Sequence, residues 1–256
     1  MALIKRHPLI TFFVLAYALA WGALPWNSFF APGALVAAIV TVALTGGWAC
    51  LRTIGARLIR WRVNWIWYVL ALAVPLALQF ATLGLNTAFG APALTLSAAI
   101  PLAIGLHIVN PTDGPFSEEP SFRGYALPEL QQGRSRFTAT AILAVLVACW
   151  HLPLLLLPAF NLHPFDFITT VAVAFWYSWL FNRSGGSSLI PLIAHGAEGT
   201  VGFGSWTGTD DVRRAWIYLV LWSLVAIGLL VFDRRFWTAK PSGERRAAED
   251  RVLARQ

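Results

Sequence analysis

Residues 137–157 have the sequence FTATAILAVLVACWHLPLLLL, a run without Asp, Glu, Lys or Arg. A helix of about 20 apolar residues spans the hydrocarbon core of a bilayer, so this run predicts a membrane-spanning helix. Near its end stand His151 and Pro153, and the proline removes a backbone hydrogen-bond donor. The stretch therefore indicates a membrane protein with a polar group and a helix break inside the membrane.

The composition of the whole chain agrees with this interpretation. Of its 256 residues, 57% are hydrophobic and only 12% are charged. Soluble globular proteins are about 45–50% apolar and about 25% charged, so an ordinary cytosolic enzyme and a disordered protein are both excluded. Cys50 and Cys149 lie in or at the end of apolar runs and belong to no CxxC pair, which disfavours a zinc knuckle or a structural disulfide.

Eight apolar segments of this kind predict an all-α fold, a polytopic bundle of about eight transmembrane helices. The segments are 8–25, 33–51, 65–85, 92–109, 137–157, 165–181, 189–206 and 215–232. We expect residues 1–237 to form one transmembrane domain and residues 238–256 to form a basic cytoplasmic tail.

The basic residues predict the orientation. If eight segments alternate across the membrane, 17 of the 19 Lys and Arg residues fall on one side and only Arg213 and Arg214 on the other. Cytoplasmic loops are enriched in Lys and Arg, so both termini are expected in the cytoplasm, which in a bacterium means a multi-pass inner-membrane protein. The formal charge of +7 is thus explained by the membrane topology of the chain in the lipid bilayer. The sequence has no basic stripe with interleaved aromatic residues, the pattern that would indicate binding to nucleic acid.

The first polar motif is SEEPSFRGY at 117–125. Ser117 is a good helix N-cap, and Pro120 is tolerated in a first turn. Glu119 and Arg123 are four residues apart and can form an ion pair, which leaves Glu118 to face elsewhere and deprotonate a water molecule. A surface amphipathic helix with an ordinary ion pair is the alternative interpretation.

Two further polar positions lie inside apolar segments, where ionisable groups indicate function by default. One is His151. The other is the pair His195 and Glu198, three residues apart and therefore on one helix face. Such a pair can orient an imidazole, bind a metal or relay protons, although each of these residues can also be a hydrogen-bonded packing residue.

Together, two glutamates, an arginine and two histidines on three elements predict hydrolytic chemistry. A carboxylate activates water, and histidines hold a metal or stabilise an oxyanion. Neither HExxH nor GxSxG occurs, so a zincin helix and a serine-hydrolase elbow are not indicated.

Residues 118–128, EEPSFRGYALP, resemble the EExxxR-G-[FY]-x-x-P signature of the CAAX-processing and bacteriocin-immunity intramembrane proteases. This family includes the type II CAAX prenyl endopeptidases. His151 followed by Leu-Pro resembles the second motif of the family, and His195 in LIAHG resembles its last. The resemblance implies an intramembrane endopeptidase that cleaves a peptide or membrane-associated protein near the cytoplasmic membrane face.

Position by position, the resemblance implies that Glu118 activates the attacking water. Glu119 and Arg123 would support and orient the site, while His151 and His195 would complete it near the oxyanion. The resemblance leaves zinc open as a cofactor: a metalloprotease would hold it with His151 and His195. Glu198 would support the site.

Two departures from the family pattern stand out. Val147 replaces the usual Phe, and Gly199 replaces an Asn thought to stabilise the oxyanion, so that Glu198 or Asn182 would have to substitute for it. Two other classes therefore stay open: a non-catalytic immunity or scaffold protein, and a small proton-coupled transporter that uses Glu198 and His195.

His151 and Glu118 raise a question of depth. His151 lies about 14 residues, roughly 21 Å, from the predicted inner start of its helix, whereas Glu118 precedes that helix near the inner surface. We expect the helix that carries Glu118 to enter the membrane, so that both groups share one cavity accessible from the cytoplasm.

Overall fold

The computed structural model of the protein describes residues 2–92, 100–160, 162–202 and 212–241. Of the described residues, 79% are helical and none lies in a strand, which confirms the all-α prediction. Parts of the fourth and seventh predicted segments (93–99 and 203–206) and the tail beyond residue 241 lie outside the described residues.

Helices follow one another with short connections along the described chain. They are α1 (Ala2–Arg6), α2 (Pro8–Trp21), α3 (Gly33–Thr45), α4 (Gly47–Leu58), α5 (Ile66–Ala88), α6 (Ile100–Val109), α7 (Gly114–Glu118), a π-helix (Glu119–Ala126), α8 (Leu127–Leu130), α9 (Arg136–Trp150), α10 (Asp166–Arg183), α11 (Leu189–Gly202), α12 (Val212–Phe232) and α13 (Arg234–Thr238). Short 3₁₀ turns occur at Leu24–Trp26, Leu152–Leu156 and Pro158–Phe160.

Among the described residues, four helical segments are long and apolar enough to cross a membrane. They are Pro8–Trp26, Ile66–Ala88, Arg136–Leu156 and Val212–Phe232. The chain is therefore an integral membrane protein, while the predicted count of eight spans is not confirmed among the described residues. In particular, the described part of α6 has 10 residues, about 15 Å of helix, and residues 93–99 before it lie outside the described residues.

The second predicted segment, 33–51, is not one helix. It divides into α3 and α4 at Gly46 and Gly47, where Gly47 has a φ of 66°. A left-handed residue interrupts a right-handed helix, and glycine adopts this conformation without a steric penalty. The helix α4 then carries Arg57, whose Nη1 donates to the carbonyl of Gly124 at 2.7 Å.

Residues 114–130 form a continuous helical segment, α7, the π-helix and α8, that the eight predicted spans do not include. The predicted N-cap, Ser117, is wrong: the carboxylate of Asp113 accepts from the N–H of Gly114 at 2.8 Å, so the helix begins one turn earlier. Within the π-helix, Pro120 offers no N–H, and at its end the N–H of Leu127 donates to the carbonyl of Phe122, five residues back.

Aromatic packing fixes this segment inside the bundle. The ring of Phe122 meets Phe12 of α2 and Trp150 of α9 edge-on, with centroids 6.0 and 5.4 Å apart. Every residue from Ser117 to Pro128 is buried. The motif is therefore part of the core, and the alternative of a surface amphipathic helix is wrong.

The bundle has two distinct ends. At one, here called the basic end, Arg136 donates to the carbonyl of Phe236 and Arg183 pairs with Asp233. At the other, here called the Trp150 end, the indole of Trp21 donates to the carbonyl of Trp150 at 2.9 Å. The 15 residues of α9, about 22 Å of helix, separate the two ends.

Candidate functional site

A cavity of about 200 Å³ lies among α5, α7, α9, α10, α11 and α12, toward the Trp150 end. Its wall combines apolar side chains with ionisable ones. The ionisable and polar groups that the site uses are Glu118, Arg123, His151, His195, Glu198, Gln79, Tyr177 and Tyr218. The five predicted catalytic residues thus lie on or directly behind one wall.

Glu118 and His151 face each other in this cavity. The distance between Glu118 Oε2 and His151 Nε2 is 3.6 Å, and Glu118 is only 4% exposed. Residue 151 directly follows α9, and the chain then continues as the 3₁₀ turn that contains Pro153. His151 Nδ1 lies 2.8 Å from the carbonyl of Val147, which can only accept, so Nδ1 carries a hydrogen.

Behind them, Glu119 joins two side chains. Its Oε1 lies 3.0 Å from Arg123 Nη1 and 3.0 Å from His195 Nδ1. The predicted ion pair between Glu119 and Arg123 is thereby confirmed, in a location where the two residues are 0% and 2% exposed. A buried ion pair is stable only with good geometry and additional hydrogen bonds, and His195 supplies one here.

Tyr177 of α10 completes this part of the site. Its ring stacks on His195 at 5.2 Å and receives the guanidinium of Arg123 on its face, also at 5.2 Å. The sequence interpretation missed Tyr177, because one tyrosine among the aromatic residues of α10 carries no signal of its own.

His195 and Glu198 share a helix face as predicted, and both line the cavity, but they do not pair with each other. The hydroxyl of Tyr218 donates to Glu198 Oε1 instead. Gln79 Nε2 in turn donates to the Tyr218 hydroxyl at 3.0 Å and to the main-chain carbonyl of Glu198 at 3.1 Å. Gln79 and Tyr218 were not predicted, although a glutamine in an apolar helix is the kind of signal that identifies such a residue.

Of the two candidates to replace the missing family Asn, only Glu198 is at the cavity. Asn182 is not: its Nδ2 donates to the carbonyl of Ser178, and its Oδ1 accepts from Gln131 at 3.2 Å. Both the nitrogen and the oxygen of the Asn182 amide are therefore hydrogen-bonded on the side of α10 that faces α8. Val147, which replaces the family Phe, lines the cavity and anchors His151 through its carbonyl.

A zinc site does not fit these residues. Within the described ranges, no three His, Cys, Asp or Glu side chains converge in an arrangement that holds a metal ion. His195 Nδ1 bonds Glu119 and His151 Nδ1 bonds Val147, so each ring has only Nε2 left as a ligand atom. The metalloprotease prediction is therefore not supported.

The arrangement as a whole defines a class: a helical membrane protein whose interior cavity holds a carboxylate against an imidazole, backed by a second carboxylate with its arginine. Residues 99–201 match the family model "Type II CAAX prenyl endopeptidase Rce1-like", so this segment is similar to that family. The match contains Glu118, Glu119, Arg123, His151, His195 and Glu198 and confirms the resemblance seen in the sequence. No curated protein matches the chain.

Proposed function

We propose that this protein is an intramembrane endopeptidase in which Glu118 activates water for attack on a peptide bond. The family is one of CAAX-type membrane proteases, which act on peptide or protein substrates. The observation that carries the proposal for this chain is the approach of Glu118 to His151 in a largely enclosed cavity.

The hydrogen bond of His151 explains how this pair holds water. Because Nδ1 donates to Val147, Nε2 of the neutral imidazole is an acceptor, as is the ionised Glu118. Two acceptors do not bond each other, and their separation of 3.6 Å suits one water molecule that donates a hydrogen to each. Its lone pairs then point away from both groups, into the cavity.

Hydrolysis follows from this arrangement. Glu118 takes a proton while the water oxygen bonds to the carbonyl carbon, and the carbonyl oxygen becomes the oxyanion of a tetrahedral intermediate. Protonated Glu118 then delivers that proton to the amide nitrogen as the C–N bond breaks. The products are a carboxylic acid and an amine, and Glu118 is again a carboxylate.

His195 is the group we assign to the oxyanion. Glu119 and Arg123 fix its ring through Nδ1, so Nε2 is the nitrogen left for the cavity. With a hydrogen on both nitrogens, His195 donates from Nε2 to the developing negative charge. One preorganised donor to an oxyanion typically raises kcat by about 10²–10³-fold. Glu119 and Arg123 act as positioning residues in this scheme.

The membrane face is the second part of the proposal. The cavity extends along Leu154, Phe160, His163 and Arg214, where α9 ends and α10 and α12 begin, which is the Trp150 end. Basic residues mark the cytoplasmic side. We therefore propose that both termini are cytoplasmic and that the cavity opens on the opposite side of the membrane.

This proposal replaces the cytoplasmic face inferred from the sequence. That inference counted Arg123 as an inner loop residue. Arg123 is buried and bonded to Glu119, so its position reflects the site and carries no information on topology.

The test is cleavage of a quenched fluorescent peptide library, with farnesylated CAAX peptides included, by the detergent-purified full chain. Glu118→Gln removes the base, whereas Glu129→Gln makes the same substitution on α8, outside the cavity. We expect activity in the wild type and in Glu129→Gln, and none in Glu118→Gln. Equal activity in all three proteins would contradict the role of Glu118.

Gly199 favours a second candidate, a non-catalytic immunity or scaffold protein, because a glycine has no side chain to take the oxyanion-stabilising role that the resemblance implies for the family Asn. Such a protein keeps its cellular phenotype in Glu118→Gln, while a protease loses it. The contacts disfavour a proton-coupled transporter, because Glu198 bonds Tyr218 and His195 bonds Glu119, so these two residues form no direct relay.

A further inference from the structure

Glu198 forms a second polar group in the cavity, apart from the Glu118 pair. Three helices build it: Glu198 from α11, Tyr218 from α12 and Gln79 from α5. The amide of Gln79 orients the Tyr218 hydroxyl by donating to it, so that the hydroxyl hydrogen points at Glu198 Oε1. Two buried side chains thus fix one oxygen of a carboxylate.

The other oxygen of Glu198 is available to the cavity. Among the described residues, no donor bonds Glu198 Oε2, and no Lys, Arg or His nitrogen forms an ion pair with Glu198. Arg123, the guanidinium nearest in the motif, is committed to Glu119, and His195 bonds Glu119 as well. The wall of the cavity therefore presents a carboxylate oxygen, Glu198 Oε2, that forms no hydrogen bond and no ion pair within the described residues.

Electrostatics decides what such a group binds. An ionised carboxylate without a partner in a low-dielectric interior is costly, and a cation beside it recovers much of that cost. A neutral side chain, such as the Asn that the family has at the position of Gly199, does not require a cation beside it. A fixed carboxylate on the wall of a substrate cavity is the arrangement expected for recognition of a positive charge.

We infer that Glu198 recognises a cationic group of the substrate close to the scissile bond: a Lys or Arg side chain, or a free α-amino group. Ammonium and guanidinium groups both carry charged N–H donors, and Glu198 Oε2 can accept a hydrogen bond from either. This inference rests on the proposed function and adds a substrate class to it. Tyr218 and Gln79 are positioning residues for Glu198.

The experiment compares matched peptides that carry Lys, Arg or the neutral norleucine at each position flanking the cleaved bond, with free or acetylated amino termini. The readout is the ratio of kcat/KM for the cationic and the neutral peptide. We expect a ratio of at least tenfold at one position in the wild type and below threefold in Glu198→Gln. If acetylation removes the preference, the cation is the α-amino group.

Glu198→Gln keeps an oxygen for the Tyr218 hydroxyl, so the variant preserves the local hydrogen bonding. Tyr218→Phe is the second variant, which keeps the charge and frees the carboxylate, and we expect an intermediate ratio. A ratio near one in the wild type, or a ratio that survives in Glu198→Gln, would overturn the inference. A uniform fall in all rates leaves the ratio unchanged and also counts against it.

Binding separates failure of this inference from failure of the protease proposal. Fluorescence anisotropy of labelled Lys and norleucine peptides on the purified protein needs no cleavage. The inference expects the Lys peptide to bind at least tenfold more tightly to the wild type, with that difference lost in Glu198→Gln and retained in Glu118→Gln. Equal affinities would refute it, whatever the library shows.

Discussion

Glu118 Oε2 lies 3.6 Å from His151 Nε2, although His151 stands at the end of α9 remote from Arg136. Glu118 therefore lies at the depth of the Trp150 end, and its helical segment runs from there toward the basic end, beside α9. This answers the question of depth: α9 begins at Arg136, and the segment that carries Glu118 is inside the bundle.

The first prediction concerns the two nitrogens of His151. His151→Asn places an amide nitrogen near Nδ1, where it can still donate to Val147, and nothing near Nε2. His151→Gln reaches the position of Nε2. We expect both variants to fold. In His151→Asn the attacking water loses one of its two acceptors, so kcat should fall by about 10²-fold, the usual effect of a misplaced reacting group, and His151→Gln should lose less. A greater loss in Gln than in Asn would show that Nε2 is not the working nitrogen.

Gly114 provides a test of position without a change of chemistry. A Cβ added at Gly114 would lie 2.9 Å from Glu118 Oε1, so alanine forces the carboxylate to move. A shift of about 1 Å at a reacting group can reduce a rate by about 10², so we expect a 10- to 100-fold lower kcat in Gly114→Ala.

The matched control for that variant is Gly105→Ala on α6, where no atom lies within 4 Å of the added Cβ. We expect wild-type kcat there. Thermal unfolding in detergent should give Gly114→Ala a Tm close to that of the wild type, because the flexible end of Glu118 relieves the contact. A large drop in Tm with proportional loss of activity would mean that Gly114 acts through folding.

The buried pair of Glu119 and Arg123 predicts an asymmetric result. Removing one partner leaves an uncompensated buried charge, which costs about 3–5 kcal/mol, whereas replacing both is much less harmful. We expect Arg123→Met to lower Tm sharply and Glu119→Gln/Arg123→Met to recover much of the loss. The double variant should not regain activity, because His195 loses the carboxylate that holds it. A double variant no more stable than Arg123→Met would contradict this account.

Much of the fold could be predicted because the bilayer requires a spanning segment to be apolar and helical, and such segments are visible in the sequence. All eight predicted segments contain a helix in the described residues. The eight apolar segments leave out residues 114–130 because Glu118, Glu119 and Arg123 lower the hydropathy there, although the motif did predict a helix that carries Glu118. These charges are satisfied by each other and by two histidines from distant helices, and no window of local sequence shows such pairing.

The parts of the site that could be predicted are those whose residues are spaced along one helix, and the contacts between different helices could not be predicted. Glu119 and Arg123 pair at four residues apart, as a helix requires. By contrast, Gln79 and Tyr218 reach Glu198 from two other helices, so only the packing of α5 and α12 on α11 brings them together. Likewise, Asn182 is plausible by residue type, yet α10 turns it toward Gln131.

The membrane face can be tested with two exposed tryptophans. Trp26, 78% exposed, follows α2 at the Trp150 end, and Trp61, 62% exposed, follows α4 near the basic residues of that helix. In a background without Cys50 and Cys149, we expect Trp26→Cys to react with a membrane-impermeant maleimide on intact cells and Trp61→Cys to react only after permeabilisation. The reverse pattern would place the cavity on the cytoplasmic side.

The last prediction concerns Asp233, just beyond α12, which ties α12 to α10. Partial burial opposes its ionisation, but hydrogen bonds from Arg183 and from the indole of Trp179 outweigh burial and hold the pKa of the Asp233 carboxyl below its usual value. A group with a lowered folded-state pKa stabilises the protein above its unfolded pKa, about 4, and loses this effect as the pH falls through the folded value.

We therefore expect Asp233→Asn to lower the Tm in detergent at pH 7 and to approach the wild type near pH 3. The side chains of Arg183 and Asp233 are 39% and 25% exposed, so solvent screening limits the effect to about 0.2–1 kcal/mol. Arg183→Met is the partner control and should show the same pH dependence. A difference in Tm that stays constant from pH 7 to pH 3 would mean that Asp233 acts through packing and not through its charge.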